Sequence, residues 1–148
     1  MTGEYRPTVA LFYCQNIPQS SEDHRRVLEK KYGQSMRLFP IPCSGRLEPI
    51  HLLRALEEFA DAAYVVTCPE GACRYLEGNR RAMKRVQRTQ DIISSIGLER
   101  ERVGIIIESS EAPEPMGHLA ERLLERALKL ALSPVLKGAM TTKEHPSP

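Results

Sequence analysis

The fold is decided by the stretch Ala62-Ala63-Tyr64-Val65-Val66-Thr67, a continuous run of small, aromatic and β-branched residues. Cys68 follows it directly. An apolar run of this length is typical of a strand that is buried on both faces of a parallel sheet. Similar runs occupy residues 8–13, 36–41 and 103–107. The sequence therefore predicts four short strands, each followed by a longer segment of different character.

Helical patterns fill the segments that follow the strands. The predicted helices cover about residues 22–31, 50–59, 74–96 and 116–132. Ser20 and Ser21 offer an N-cap to the first helix, while Gly33 and Gly97 are placed to end the first and third. Four β-α repeats in succession predict an α/β protein whose parallel, flavodoxin- or Rossmann-like sheet of about four strands is flanked by helices.

Composition indicates one ordinary globular domain, because the chain has 148 residues and a formal net charge of only +2. We expect this domain to cover residues 1–140, with residues 141–148 as a flexible tail. No window approaches the ~18 consecutive apolar residues of a membrane span, and residues 1–6 lack the apolar core of a signal peptide. These features predict a cytoplasmic protein without membrane insertion. In such a reducing compartment, cysteines are more often metal ligands or catalytic groups than disulfides.

All four cysteines of the chain lie just after predicted strands. Cys14 and Cys68 directly follow the first and third strands, Cys43 lies just past the second, and Cys73 lies in the loop that opens the next helix. Because the carboxyl ends of parallel strands meet at one edge of the sheet, where α/β proteins bind ligands, we expect the four thiols to gather there.

Thiolate ligands of this kind suit an iron–sulfur cluster or a zinc ion. The spacing lacks the two close cysteine pairs of zinc knuckles. Gly45 and Gly71 allow tight turns whose N–H groups can point at sulfide, and Arg46 and Arg74 would balance the negative charge of a cluster. A structural zinc ion, or plain packing of buried thiols, stays open as an alternative.

An enzyme is the main alternative class, because the segment from Cys68 to Arg74 also matches the Cys-x5-Arg loop of cysteine phosphatases and arsenate reductases. In that loop a thiolate nucleophile follows a strand, the loop amides bind the anion and the arginine clamps it. Here Tyr75 stands where those enzymes usually have Ser or Thr, and Pro69 removes an amide donor. This interpretation also gives no role to the first two cysteines.

Two compound motifs resemble the delta subunit family of methyl-viologen-reducing hydrogenase, namely Pro42-Cys43-Ser44-Gly45-Arg46 and Cys68-x-x-Gly71-x-Cys73-x-Tyr75-x-x-Gly78-Asn79. Three further segments support the resemblance, which covers roughly residues 8–130. They are Phe12-Tyr13-Cys14, the basic segment 80–85 and the segment 96–103.

The resemblance implies a 2Fe–2S cluster and a role as an electron conduit with no net reaction of its own. The electrons would pass between a hydrogenase, formate dehydrogenase or similar redox module and the flavin-bearing A subunit of a heterodisulfide reductase. The implied metal ligands are Cys14, Cys43, Cys68 and Cys73. The residues expected to surround the cluster are Ser44, Gly45, Arg46, Gly71, Arg74 and Asn79. Family members commonly carry another cysteine a few residues after the first, and here Gln15, Asn16 and Ile17 occupy that stretch.

A basic segment follows the third strand, where residues 74–88 hold six cations against the single acid Glu77. Arg81, Lys84, Arg85 and Arg88 share one helical face by their spacing. Such a face is either simply solvated or a docking surface for an acidic redox partner. Nucleic acid is not an expected partner, because no aromatic residue is interleaved with the charges of residues 80–88.

Overall fold

The computed structural model of the chain describes residues 7–14, 21–41, 47–67, 78–107, 115–130 and 133–134, with the backbone alone for residues 78 and 79. The strands are β1 (Val9–Cys14), β2 (Met36–Ile41), β3 (Ala62–Thr67) and β4 (Val103–Ile107). The helices are α1 (Glu22–Tyr32), α2 (Pro49–Glu58), α3 (Gly78–Ser95) and α4 (Met116–Leu128). The predicted tail at 141–148 lies outside the described residues.

Strand positions agree closely with the sequence prediction, since β2, β3 and β4 have the predicted bounds and β1 is shifted by one residue. The prediction for α4 was too long at its carboxyl end. That helix ends at Leu128, and the N–H of Lys129 turns back to the carbonyl groups of Arg126 and Ala127. The predicted start of the third helix at residue 74 lies outside the described residues.

All strand pairings in the sheet are parallel, and the strand order is β2-β1-β3-β4. Val9 lies opposite both Met36 and Ala62, while Ala63 lies opposite Val103. The predicted α/β class with a four-stranded parallel sheet is therefore confirmed. No helix within the described ranges is long and apolar enough to cross a bilayer.

Helices cover both faces of the sheet. Leu28 of α1 and Leu119 of α4 pack with Leu11 on one face, whereas Leu56 of α2 and Val86 of α3 contribute to the core on the other. Every residue of β1 and of β3 is buried. This two-sided burial explains why the central strands are continuous apolar runs without polar alternation.

The termini of α1 follow the predicted signals. The side chain of Ser21 accepts a hydrogen bond from the N–H of His24 at 3.3 Å, which satisfies one of the free donors of the first turn. Gly33 ends the helix with φ +60°, a conformation that residues with a side chain rarely adopt. This helix thus begins and ends where its sequence predicts.

A buried polar network joins the amino ends of the strands. The carboxylate of Asp61 accepts hydrogen bonds from the N–H of Thr8 at 3.0 Å and from the N–H of Ser133 at 2.9 Å. The carbonyl oxygen of Asp61 accepts from Nη1 of Arg102 at 3.0 Å, and Nε of Arg102 donates to Glu99 at 2.7 Å. Contacts among four segments that are distant in sequence therefore hold the edge of the sheet opposite to Cys14.

We expect Asp61→Ala to lower the free energy of unfolding by about 2–4 kcal/mol, because it leaves the buried N–H of Ser133 and the part-buried N–H of Thr8 without this acceptor. Asp91→Ala is the matched control, since it removes an exposed carboxylate that pairs with Arg100 at 2.7 Å. Exposed pairs contribute about 0–1 kcal/mol. The midpoints of urea unfolding measure both effects, and equal midpoints for the two variants would contradict the assigned role of Asp61.

Candidate functional site

The carboxyl edge of the sheet has a topological switch point between β1 and β3. From β1 the chain passes through α1 to β2 on one side, and then through α2 to β3 on the other side. α1 follows β1 and α3 follows β3, and these two helices pack on opposite faces of the sheet. They therefore diverge at the carboxyl ends of β1 and β3. In open α/β sheets the crevice at such a point is where ligands bind. Cys14 is the last residue of β1 and lies at this point.

The register aligns the carboxyl ends of β1, β2 and β3 side by side. In sequence, each of these ends carries a cysteine or is followed closely by one. Cys14 lies opposite Ile41, the last residue of β2, and Tyr13 lies opposite Val66, the penultimate residue of β3. In sequence, Cys43 comes two residues after Ile41, and Cys68 directly follows β3. The prediction that these strand ends share one edge is confirmed, and β1 lies between the other two.

Most of the predicted site residues lie outside the described residues. These are Cys43, Ser44, Gly45, Arg46, Cys68, Gly71, Cys73 and Arg74. Asn79 belongs to the first turn of α3, where the backbone alone is described. Their assignment to a metal or cofactor stays a prediction.

Cys14 itself is almost fully buried, with 2% of its surface exposed, and it forms no disulfide. It belongs to the apolar cluster on the α1/α4 face of the sheet. Burial of this kind fits either a metal ligand screened from solvent or a small core residue. Among the described residues, no three His, Cys, Asp or Glu side chains form a group that could hold a metal ion.

A cation from α1 approaches the same end of β1. Arg25 forms an ion pair with Glu22, and its positive charge opposes the burial that raises the pKa of Tyr13, the neighbour of Cys14. Nε of Arg25 is buried and has no hydrogen-bond partner among the described residues. A buried donor without an acceptor is costly, so it fits an edge that receives an anionic group. The sequence analysis missed Arg25, although its place one turn into the helix after β1 could have indicated it.

Arg85 has a different role from the predicted one. Nη1 of Arg85 donates to the carbonyl oxygen of Leu47 at 3.0 Å, and Nη2 lies 3.5 Å from the carboxylate of Glu48. Glu48 in turn is the N-cap of α2, and its N–H donates to Nδ1 of His51 at 2.9 Å. Arg85 therefore connects α3, which follows Cys73 in sequence, to Leu47 and Glu48, which follow Cys43. It is not part of an open basic face.

We expect Arg85→Met to lower the free energy of unfolding by about 1 kcal/mol, because it removes a partly shielded contact between α3 and the start of α2. Arg88→Met is the matched control on the same helix, since Arg88 is exposed and should change stability by less than about 0.5 kcal/mol. Urea unfolding measures both variants. Equal losses would show that the contact of Arg85 adds nothing beyond general helix effects.

The fold and this edge together define a small, doubly wound α/β protein with a buried cysteine at its topological switch point. The chain belongs to the family of the delta subunit of methyl-viologen-reducing hydrogenase, whose family model matches residues 9–130. That match spans all four strands and all four helices of the described structure.

Several relatives are named as iron–sulfur D subunits of F420-non-reducing hydrogenases. One from Methanococcus voltae is 33% identical over 103 residues, which are 70% of this chain and 72% of the relative. One from Methanopyrus kandleri is 30% identical over 122 residues, which are 82% of this chain and 92% of the relative.

A different type of relative is much longer than this chain. The A subunit of the ferredoxin:CoB-CoM heterodisulfide reductase of Methanosarcina mazei is 32% identical over 97 residues, which are 66% of this chain and 12% of that protein. In that relative, a segment similar to this chain is therefore one part of a longer heterodisulfide reductase polypeptide.

Proposed function

We propose that this chain is an iron–sulfur electron-transfer subunit that holds one 2Fe–2S cluster through Cys14, Cys43, Cys68 and Cys73. It relays electrons between a hydrogenase- or formate dehydrogenase-type module and a flavoprotein similar to the A subunit of heterodisulfide reductase. The observation that carries the proposal is the parallel pairing of β1 with both β2 and β3, which puts three cysteine-associated strand ends side by side at the switch point.

Covalent geometry supports a common site for the first three thiols. Paired strands lie about 4.8 Å apart, and consecutive Cα atoms are about 3.8 Å apart. Because Cys14 is level with the last residues of β2 and β3, its Cα atom can be at most about 9 Å from that of Cys68 and about 12 Å from that of Cys43. The strand ends that carry or precede these cysteines are thus neighbours, although 53 residues separate Cys14 from Cys68 in sequence.

The burial of Cys14 and one described cation favour a thiolate site at the end of β1, while the carboxylates of Glu22 and Glu29 near Tyr13 oppose that cation. Burial of Cys14 screens it from solvent, and the unpaired Nε of Arg25 supplies a buried donor near the end of β1. Hydrogen bonds and charge around the sulfur atoms set the reduction potential of an iron–sulfur centre. When bound, such a centre supplies electron transfer, while the protein supplies ligands, shielding and a surface for its partners.

The relatives support both the cofactor class and the partner. Two of them are named as iron–sulfur subunits, and the Methanosarcina mazei protein contains a similar segment within a heterodisulfide reductase polypeptide. Two domains that form one polypeptide in one organism often bind each other when they are separate chains in another. The partner that we propose for this chain is therefore a flavoprotein of the heterodisulfide reductase type.

Anaerobically produced protein should be reddish-brown and contain about two irons and two acid-labile sulfides per chain. Cys14→Ser and Cys14→Ala should both lose most of this iron, because each removes a ligand. Ala10→Ser is the matched control, since it adds a hydroxyl to the same buried strand, and it should keep its iron. Iron and sulfide assays together with the visible spectrum measure the outcome, and circular dichroism verifies that each variant is folded.

Three results would overturn this proposal. Full iron content in folded Cys14→Ala would mean that Cys14 only packs in the core. A colourless protein with stoichiometric zinc would indicate a zinc-stabilised domain. Hydrolysis of an aryl phosphate that is abolished by Cys68→Ser or Arg74→Ala, but unaffected by Cys14→Ser, would indicate the cysteine-nucleophile enzyme.

A further inference from the structure

Three cations form a stripe along the exposed side of α3. Arg81, Lys84 and Arg88 are exposed, and their spacing of three and four residues puts them on one side of the helix. The opposite side of α3 faces the core through Ala82, Val86, Thr89 and Ile93, all buried. We call Arg81, Lys84 and Arg88 the α3 stripe.

The α3 stripe has no internal counter-charge among the residues that the structure describes, because the nearby carboxylates have other partners. Glu48 lies 3.5 Å from Arg85, and Asp91 lies 2.7 Å from Arg100. No ion pair of the described residues involves Arg81, Lys84 or Arg88. Contacts within the protein engage Arg85 but leave these three charges for an external partner.

The stripe begins close to the carboxyl edge of the sheet. Arg81 is three residues and Arg88 ten residues from the first residue of α3, so the stripe extends from about 5 to about 15 Å along the helix at 1.5 Å per residue. The segment directly before α3 carries Cys68 and Cys73. A protein bound to the stripe would therefore lie beside the edge at which we place the cofactor.

We propose that the α3 stripe is the docking surface for an acidic patch on the heterodisulfide reductase-type flavoprotein, an inference that rests on the proposed function. Complementary charge of this kind mainly raises the association rate and fixes the orientation of the partner. The stripe orients the edge with Cys14 toward the flavoprotein. Arg85 holds α3 in place through its contacts with Leu47 and Glu48.

An acidic protein fits the stripe better than a nucleic acid or an anionic membrane surface. Nucleic-acid surfaces of this size combine cations with aromatic side chains that stack on bases, and α3 has no aromatic residue. Helices that bind membrane surfaces expose large apolar residues beside their cations. The described side chains of α3 include no exposed large apolar residue, and the net charge of the whole chain is only +2.

The test compares two triple variants of the anaerobically purified, cluster-containing protein. The stripe variant carries Arg81→Gln, Lys84→Gln and Arg88→Gln. The control variant carries Lys30→Gln, Lys31→Gln and Lys129→Gln, which remove three exposed positive charges elsewhere. Binding to the immobilised recombinant heterodisulfide reductase flavoprotein from the same source organism is measured over a range of salt concentrations. Iron content and the visible spectrum are measured on the same samples.

We expect the stripe variant to associate with the flavoprotein at least tenfold more slowly at low salt, because three steering charges are gone. This difference should disappear in high salt, where charges on the surface are screened. The control variant should change the rate less than threefold, and all three proteins should keep the same iron content. Loss of iron in every sample would count against the cofactor, whereas unequal rates with intact iron support the docking surface.

Several outcomes would overturn the docking surface while the proposed function stands. Equal rates for the stripe and control variants would mean that α3 is only a solvated face. The same holds if the unsubstituted, iron-containing protein does not bind the flavoprotein. Binding to a single-stranded oligonucleotide or to phosphatidylserine vesicles that the stripe variant alone loses, with no effect on flavoprotein binding, would assign the stripe to nucleic acid or to a membrane surface.

Discussion

β1 is hydrogen-bonded in parallel to β2 on one side and to β3 on the other. The position of Cys14 depends on this double pairing, because the register puts it level with the last residues of both neighbours. A shift of one residue in either pairing would turn the side chains of β1 to the opposite faces of the sheet. Since helices cover both faces, such a shift would also exchange Leu11 and Tyr13, which belong to one core cluster, with Ala10 and Phe12, which belong to the other. The packed core therefore fixes the register, and the register fixes the edge.

The described contacts at the two edges of the sheet differ in kind. At the amino edge, Asp61 and Arg102 are buried and connect segments that are far apart in sequence. At the carboxyl edge, Nε of Arg25 is buried and has no acceptor among the described residues. The hydrogen bonds of Asp61 and Arg102 add rigidity at the amino edge, although Oγ of Ser133 in the same network has no partner among the described residues. At the carboxyl edge, a bound anionic group is the partner that we propose for Nε of Arg25.

The sequence predicted those parts of the fold that depend on local patterns. The apolar runs identify the central strands β1 and β3 because burial on both faces removes polar alternation. Ser21 and Gly33 mark the ends of α1 through hydrogen bonds and backbone geometry within one turn. The roles of Asp61 and Arg85 could not be predicted in this way. Asp61 contacts Thr8 and Ser133, which are 53 and 72 residues away, and no periodicity encodes such pairs. For the same reason, spacing alone grouped Arg85 with the exposed cations of α3.

The distribution of positive charge links the edge to the surface beside it. The net charge of +2 does not reveal this distribution. Several arginines pair with carboxylates or carbonyl groups inside the protein, whereas the three cations of the α3 stripe form no ion pair among the described residues. Arg25 lies near the buried end of β1, where a thiolate would require a compensating cation or donors to remain charged. The α3 stripe lies outside, where charge acts over about a Debye length to orient an approaching protein. Arg85 connects the stripe to the edge of the sheet. Its hydrogen bond to Leu47 joins α3, which carries the stripe, to the residues that follow Cys43 in sequence. A partner oriented by the stripe would thus meet an edge whose geometry the same helix helps to hold.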